Sequence, residues 1–187
     1  MDQNFYSPLG LSTLGFNPLD RLPREQIVPT ENDTHFRKTL VWGTVHDQGA
    51  AMMGGVAGHA GLFSNAMDLA ILMQMNLQQG EYGGHRYFNT AVVSQFATRP
   101  YTNNRRGLGW DMSDPEGLGA TSPLASLSTF GHTGFTGTCT WVDPEHNLVY
   151  VFLSNRVNPE ETNTKLTSYN IRSRIHDVIY KSLQAKT

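Results

Sequence analysis

This chain has one cysteine, Cys139, in 187 residues. That excludes an internal disulfide and a cysteine-built zinc site, and it leaves either redox compartment open. It has no apolar run approaching the ~18 residues that a membrane span needs. Met1, Asp2, Gln3 and Asn4 lack the basic and apolar regions of a secretory signal, so the chain is not expected to export itself. Neither charge is in excess: 14 Lys and Arg against 16 Asp and Glu give a formal charge of -2, without the basic footprint of a nucleic-acid binder or a polybasic membrane patch. No HxxxH, HExxH or Cys/His cluster sets ligands on one face, so no metal and no cofactor are expected. GxSxG, the nucleophile elbow of an α/β-hydrolase, is absent. The longest internal echo is GHxG, at residues 58–61 and 131–134, too short for a repeat architecture.

What is present is the composition of an ordinary globular domain, 39% hydrophobic and 16% charged, long enough to bury a sizeable core. The stretch 130–156 dominates it. Residues 136–142 and 148–155 are rich in Thr, Val, Tyr, Phe and Trp, and Asp143, Pro144, Glu145, His146 and Asn147 between them have turn composition, which predicts a β-hairpin. Gly131, Gly134 and Gly137 recur at its start, where glycine weakens a sheet, and so point to close backbone approach by a ligand. An edge reading Gly131, His132, Thr133, Gly134 offers an imidazole, a hydroxyl and backbone N–H groups, which suits an anionic or carbonyl substrate.

Residues 1–34, punctuated by four prolines, predict a loop-rich opening without a long helix. An apolar run from residue 39 leads to His46 and Asp47 and then to a glycine-rich passage containing His59. Neighbours in extended chain point to opposite faces, so His46 and Asp47 cannot share a substrate unless a turn intervenes. Asp47 reads as scaffold, and His59 equally as scaffold or site. Residues 65–79 predict a helix capped by Asn65, stopped by Gly80, apolar nearly all round and therefore buried. A second helix is predicted over 89–98, with Val92, Val93 and Phe96 on one face and Pro100 ending it. Residues 113–128 read as a loop and 158–163 as a polar turn. Ile171, Ile175, Val178, Ile179 and Leu183 predict an amphipathic C-terminal helix.

His132, Thr133 and Gly134 resemble the third active-site motif of the serine β-lactamase and penicillin-binding-protein superfamily, usually Lys-Thr-Gly and His-Thr-Gly in some branches. The following TGTxxWVDPExNLVYVFLSNR, closed by Asn155 and Arg156, resembles the strand pair at the active-site edge of its sheet. Within that superfamily, VHDxxA, GGVAGHAGLFS and GHTGFTGT are similar to the class C, esterase and D-alanyl-D-alanine carboxypeptidase branch, and to the module fused to bacterial family 3 β-N-acetylglucosaminidases. The resemblance implies an α+β fold of the β-lactamase/transpeptidase type, an antiparallel sheet with flanking helices. It implies an incomplete domain, because Pro8, Leu9, Gly10, Thr13 and the Phe16, Asn17, Pro18 group resemble a segment downstream of the first two motifs. Residues 1–128 would be the loop and helical region with its glycine-rich rim, and 129–187 the active-site hairpin and last helix. Phe135 would lend its backbone N–H to an oxyanion hole, and His132 would bind or assist proton transfer. Thr133, Gly134, Thr136, His59 and His46 would contact substrate.

The nucleophile motif SxxK is absent. Thr162, Asn163, Thr164 and Lys165 come nearest, in the wrong chain order. YxN occurs at Tyr87 and Asn89 and at Tyr101 and Asn103, too late to be the second motif. Three readings stay open: the C-terminal part of a serine hydrolase acting on a β-lactam, D-Ala peptide or ester, inactive alone; a non-catalytic module that binds a cell-wall peptide-like ligand; and one half of a site completed by a fragment carrying the nucleophile. The expected partners are a small or peptide-like acyl substrate and either that N-terminal half or a second copy of the chain. An extracytoplasmic setting is expected for the parent protein and none is assigned to the chain.

Overall fold

The computed structural model describes residues 1–101, 103–114 and 119–185. Its centre is a four-stranded antiparallel sheet in the order β5-β6-β7-β8, with β5 at Asp111–Met112, β6 at Phe130–Thr133, β7 at Cys139–Asp143 and β8 at Leu148–Phe152. The β7–β8 turn forms as its composition predicts. The Asp143 carboxylate accepts the N–H groups of Glu145 (3.0 Å) and His146 (3.2 Å), and Asn147 takes a left-handed φ of 50°. The sequence reading needs one correction here. The Gly-His-Thr-Gly edge does not begin the hairpin but is a strand of its own, β6, paired antiparallel with β7 through Gly131↔Trp141 and Thr133↔Cys139. Residues 134–138 turn between them, so the unit is a meander.

Alternation along the strands gives the sheet two apolar faces. Val142 and Val149 face one side, where they meet Phe130, Met112 and Met73. Cys139, Trp141 and Tyr150 face the other, with Phe152 and Ile179 against them. Helix α2 (Ala66–Leu77) covers the first face and α5 (Ile171–Gln184) the second. Buried side chains of this size contribute roughly 1.5–3 kcal/mol each, so packing on both faces of the sheet contributes substantially to stability.

Asn65 caps α2 as predicted, its side chain accepting from the Asp68 N–H at 2.8 Å, and Gly80 ends it at φ 88°. The helix is less enclosed than its composition predicts. Met73 is turned to the sheet and Met75 to the chain's opening segment, with Tyr6, Leu9, Leu11 and Leu14, whereas Met67 is 68% exposed. That segment has no long helix, only short turns, but it contributes a strand, β1 (Pro29–Asp33), paired with β2 (Thr39–Trp42). A small hairpin, β3 (Glu81–Tyr82) with β4 (His85–Arg86), follows α2.

Two helices bury other residues than their apolar pattern predicts. In α3 (Thr90–Phe96) Val93 alone is buried, while Val92 and Phe96 are exposed. In α5 the buried side chains are His176 and Tyr180, and Ile175, Val178 and Leu183 lie in solvent. The physical reason is what the sheet offers. The His176 ring stacks on Tyr150 at 4.5 Å, and Tyr180 donates its hydroxyl to the buried Asp143 carboxylate at 2.5 Å. The described part of the 113–128 loop packs on the same helix. The Ser122 N–H donates to His176 Nδ1, and Ser126 donates to Asp143 through both its N–H and its hydroxyl. Residues 115–118 of that loop lie outside the described residues.

Candidate functional site

The turn after β6 is tight. Gly134 N–H donates to the Thr138 carbonyl (2.8 Å) and Gly137 N–H to the Gly134 carbonyl (3.0 Å), leaving Phe135 and Thr136 at the tip. Among the described residues, the N–H groups of Phe135 and Thr136 have no hydrogen-bond partner. Two adjacent backbone donors on a braced turn, beside a threonine hydroxyl, can receive an oxyanion or a carboxylate. A shallow cavity of about 340 Å³ opens at this turn, lined by Thr133, Gly134, Phe135, Arg156, Thr167 and Arg172.

The Phe135 ring is 61% exposed yet held on both faces. His46 stacks on it with centroids 5.0 Å apart, and the Arg156 guanidinium sits 4.4 Å over it. Arg156 braces the turn further by donating from Nε to the Phe135 carbonyl (2.9 Å), while its own N–H donates to the Thr136 carbonyl (2.9 Å). His46 arrives because the β1–β2 hairpin is tied to the segment after β8. Asn155 donates its side-chain amide to the carbonyls of Pro29 and Thr30, and the Asn32 N–H donates to the Pro159 carbonyl (2.8 Å). Arg37 then fixes the backbone locally by donating to the carbonyls of Val45 (2.6 Å) and His46 (2.8 Å). It is itself anchored on Asp33, whose carboxyl the Arg37 and Phe36 N–H groups and the Arg37 guanidinium hold well below the usual range. His46 Nε2 is 3.3 Å from Glu31 Oε2 and 3.8 Å from Glu161 Oε2, ion pairs only when the imidazole is protonated, and it has no hydrogen bond.

His132 is exposed at the end of β6, where Nδ1 lies 2.7 Å from the Thr133 carbonyl and Nε2 lies 3.0 Å from an Arg106 nitrogen. Arg106 bridges Asp111, which in turn stands opposite Gly131 in the β5–β6 register. Asp111 is buried and takes a 2.7 Å hydrogen bond from Arg105.

The structure therefore brings together His132, Thr133, Gly134, Phe135, Thr136 and His46. It does not bring His59 to them by any hydrogen bond, ion pair or ring contact among the described residues. His59 is an exposed side chain whose Nε2 lies 3.0 Å from Asp47 Oδ1. Asp47 is scaffold, as expected. It caps α1 (Gln48–Met52) by accepting the Ala50 N–H at 2.7 Å, and that bond, with His59, lowers its pKa. His46 and Asp47 point to different partners because Asp47 turns into α1 as its cap while His46 lies in the loop before it. The glycines are needed by the fold itself. A Cβ on Gly131 would fall 2.0 Å from the Thr140 carbonyl, one on Gly134 2.3 Å from Thr138 Oγ1, and one on Gly137 2.4 Å from Ser154 Oγ. What a Cβ at these positions would meet is the protein itself, while Gly134 also lines the cavity at the turn.

Sequence reasoning missed Arg106 at the site and gave Arg156 no role. Arg156 sits in the quoted strand motif and could have been weighed. Arg106 is 26 residues from His132, next to a glycine-rich turn, and no local pattern marks it. Among the described residues no group of three or more His, Cys, Asp or Glu side chains could hold a metal ion, and no helix is long and apolar enough to cross a membrane.

Comparison with known proteins gives the family and the fold. A provisionally named D-alanyl-D-alanine carboxypeptidase of Escherichia coli K12 is 42% identical over 169 residues, covering 83% of this chain and 39% of that protein. A protein of the same provisional name from Salmonella typhi is 40% identical over 179 residues, covering 89% of this chain and 41% of its own length. The chain thus spans about two fifths of these curated relatives. Among solved structures, a β-lactamase from Mycobacterium bovis superposes with a TM-score of 0.63 at 18% identity, over 97% of this chain and 54% of that one. A penicillin-binding-protein homologue from Caulobacter crescentus gives 0.56 at 21% identity, over 82% and 45%. These likenesses establish a mixed helix and antiparallel-sheet fold of the β-lactamase/transpeptidase type, present in part. The family model described as Beta-lactamase matches residues 1–171, so this chain belongs to the β-lactamase family.

Proposed function

We propose that the chain is the C-terminal portion of a serine acyl-transfer domain, in which the turn after β6 holds the acyl group of a D-alanyl peptide, an ester or a β-lactam. The observation that carries this reading is the pair of unengaged N–H groups at Phe135 and Thr136, on a turn braced by Arg156 and flanked by Thr133 and His132. Acyl transfer develops negative charge on a carbonyl oxygen, and donors already fixed in place stabilise it without reorganising. The names of the curated relatives support the substrate class.

The nucleophile and its base come from outside this chain, because the SxxK motif that would pair them on one helical turn is absent. His46 and Thr133 would border the acyl group. His59, tied to Asp47, would stand at the rim. The N-terminal half that supplies the nucleophile is the partner this reading requires.

The test is the intact mass of the folded chain after incubation with a penicillin, together with chemical-shift mapping of an acyl-D-alanyl-D-alanine peptide. No adduct, and shifts centred on residues 132–136, are expected. A stoichiometric adduct would reveal a nucleophile within the chain and overturn the division of labour. Shifts confined to other surfaces would overturn the site. The absence of SxxK also favours a binding module without turnover. Adding the nucleophile-bearing half of a family member separates the two readings, since hydrolysis on mixing supports acyl transfer and binding alone supports the module.

A further inference from the structure

The two nitrogens of His132 have partners of fixed chemical role. Nδ1 lies 2.7 Å from the Thr133 carbonyl, which can only accept, so Nδ1 carries the proton. Nε2 lies 3.0 Å from an Arg106 nitrogen, which can only donate, so Nε2 presents its lone pair. An imidazolium would turn a second N–H against the guanidinium. From this geometry we infer that Arg106 is the positioning residue of the His-Thr-Gly edge, locking His132 in its neutral Nδ1–H tautomer and itself supplying the positive charge at that edge.

The seat of Arg106 is built into the fold. Residues 107–110 form a tight turn, with the Gly107 N–H donating to the Trp110 carbonyl (3.0 Å) and Gly109 at φ 79°. The Leu108 N–H ties this turn to the Phe96 carbonyl at the end of α3 (3.0 Å). A Cβ on Gly107 would meet that same carbonyl at 2.5 Å, which keeps the turn close. The buried Asp111 carboxylate is shared. Oδ2 takes Arg105 at 2.7 Å, and Oδ1 takes the Met112 N–H at 3.1 Å and lies 3.8 Å from Arg106 Nε. Asp111 thus faces both guanidiniums, and Arg106 reaches from it to His132.

The consequence concerns roles. While Arg106 is seated, both nitrogens of His132 are engaged and neither offers an N–H to a ligand. Direct use of either nitrogen on a ligand is therefore disfavoured, and His132 acts at this edge through Arg106. The importance of this for catalysis rests on the proposed function, but the tautomer does not.

Long-range proton–nitrogen spectra of the ¹⁵N-labelled chain at mildly alkaline pH read the tautomer directly, with His132 assigned by its loss in a His132→Gln variant. The expected result is a protonated-type shift at Nδ1 and a lone-pair-type shift at Nε2. Arg106→Met removes the donor and is expected to move both shifts toward the averaged values of a freely exchanging imidazole, while Arg106→Lys keeps a donor and restores the lock. A wild-type Nε2–H signal, or an Arg106→Met spectrum identical to wild type, overturns the assignment. Unchanged amide shifts in β7 and β8 show that the variants fold, and if Arg106→Met does not fold, the wild-type tautomer decides alone. A locked tautomer in a chain that binds no acyl ligand would sink the proposed function and leave this inference standing.

Discussion

At the scale of single residues, the structure separates side chains whose chemistry is spent on the fold from those left available. Cys139 belongs to the first group. Burial beside Trp141 and Tyr150 pushes its thiol up to about 11, and a buried thiol of that pKa has almost no thiolate at neutral pH. A disulfide-exchange reagent at pH 8 is expected to leave it unmodified in the native chain and to label it fully in denaturant. Rapid native labelling would show that the β7 face opens. Asp68 is also spent. Its carboxylate, buried in α2, accepts the Thr13 N–H (2.6 Å), the Thr13 hydroxyl (2.7 Å) and the Leu14 N–H (3.1 Å). Asp68→Ala would strand those donors and is expected to cost roughly 2–4 kcal/mol in urea unfolding. His132→Ala removes the imidazole that Arg106 donates to without touching the core, and is expected to weaken acyl-peptide binding about tenfold, or about 1.4 kcal/mol. An unchanged affinity by titration would place His132 outside the site.

At the scale of elements, α5 is held by groups that acid attacks. Burial pushes His176 down to about 4, against the opposing pull of Asp143 and Asp177. The unfolded imidazole titrates near 6.5, so between about pH 6.5 and 4 the unfolded chain binds the extra proton. Stability from this group is intact above 6.5 and is lost as pH falls toward 4, by up to roughly 3 kcal/mol. Asp143 acts below that window. Burial alone would raise its pKa, but hydrogen bonds from Tyr180, Ser126 and His146 outweigh burial and hold it well below the ordinary carboxylate value. Thermal melts of wild type and His176→Phe at pH 7, 6, 5 and 4.5 check the assignment. The wild-type melting temperature is expected to fall through this range and that of the variant to stay nearly level. Parallel curves would assign the acid sensitivity elsewhere.

For the whole molecule, the sheet order leaves β8 with no strand on its outer side among the described residues. Its sequence, Leu148, Val149, Tyr150, Val151, Phe152, carries no charge, glycine or proline to blunt pairing. Ile175, Val178 and Leu183 are exposed on α5, the helix packed on that sheet. Self-association that grows with concentration is the expected outcome in sedimentation velocity at tens of micromolar. A monomer throughout would show that the edge is protected.

The amino-acid sequence by itself determined the elements whose signals are local. Asn65 and Gly80 bound α2 because capping and left-handed stops are decided within a turn of chain, and residues 143–147 turn because Asp143 reaches its own neighbours. The family pattern of His132, Thr133 and Gly134 was legible for the same reason, being contiguous. The tertiary structure decided which faces are buried and which side chains meet. α5 buries His176 and Tyr180 because Tyr150 and Asp143 lie opposite, a pairing that helical periodicity cannot carry. It also decided the site. His46 reaches Phe135 through the Asn155 link between the β1–β2 hairpin and the segment after β8, and Arg106 reaches His132 through the Asp111–Gly131 register. Long-range contacts of this kind depend on strand order and packing, which no window of sequence contains.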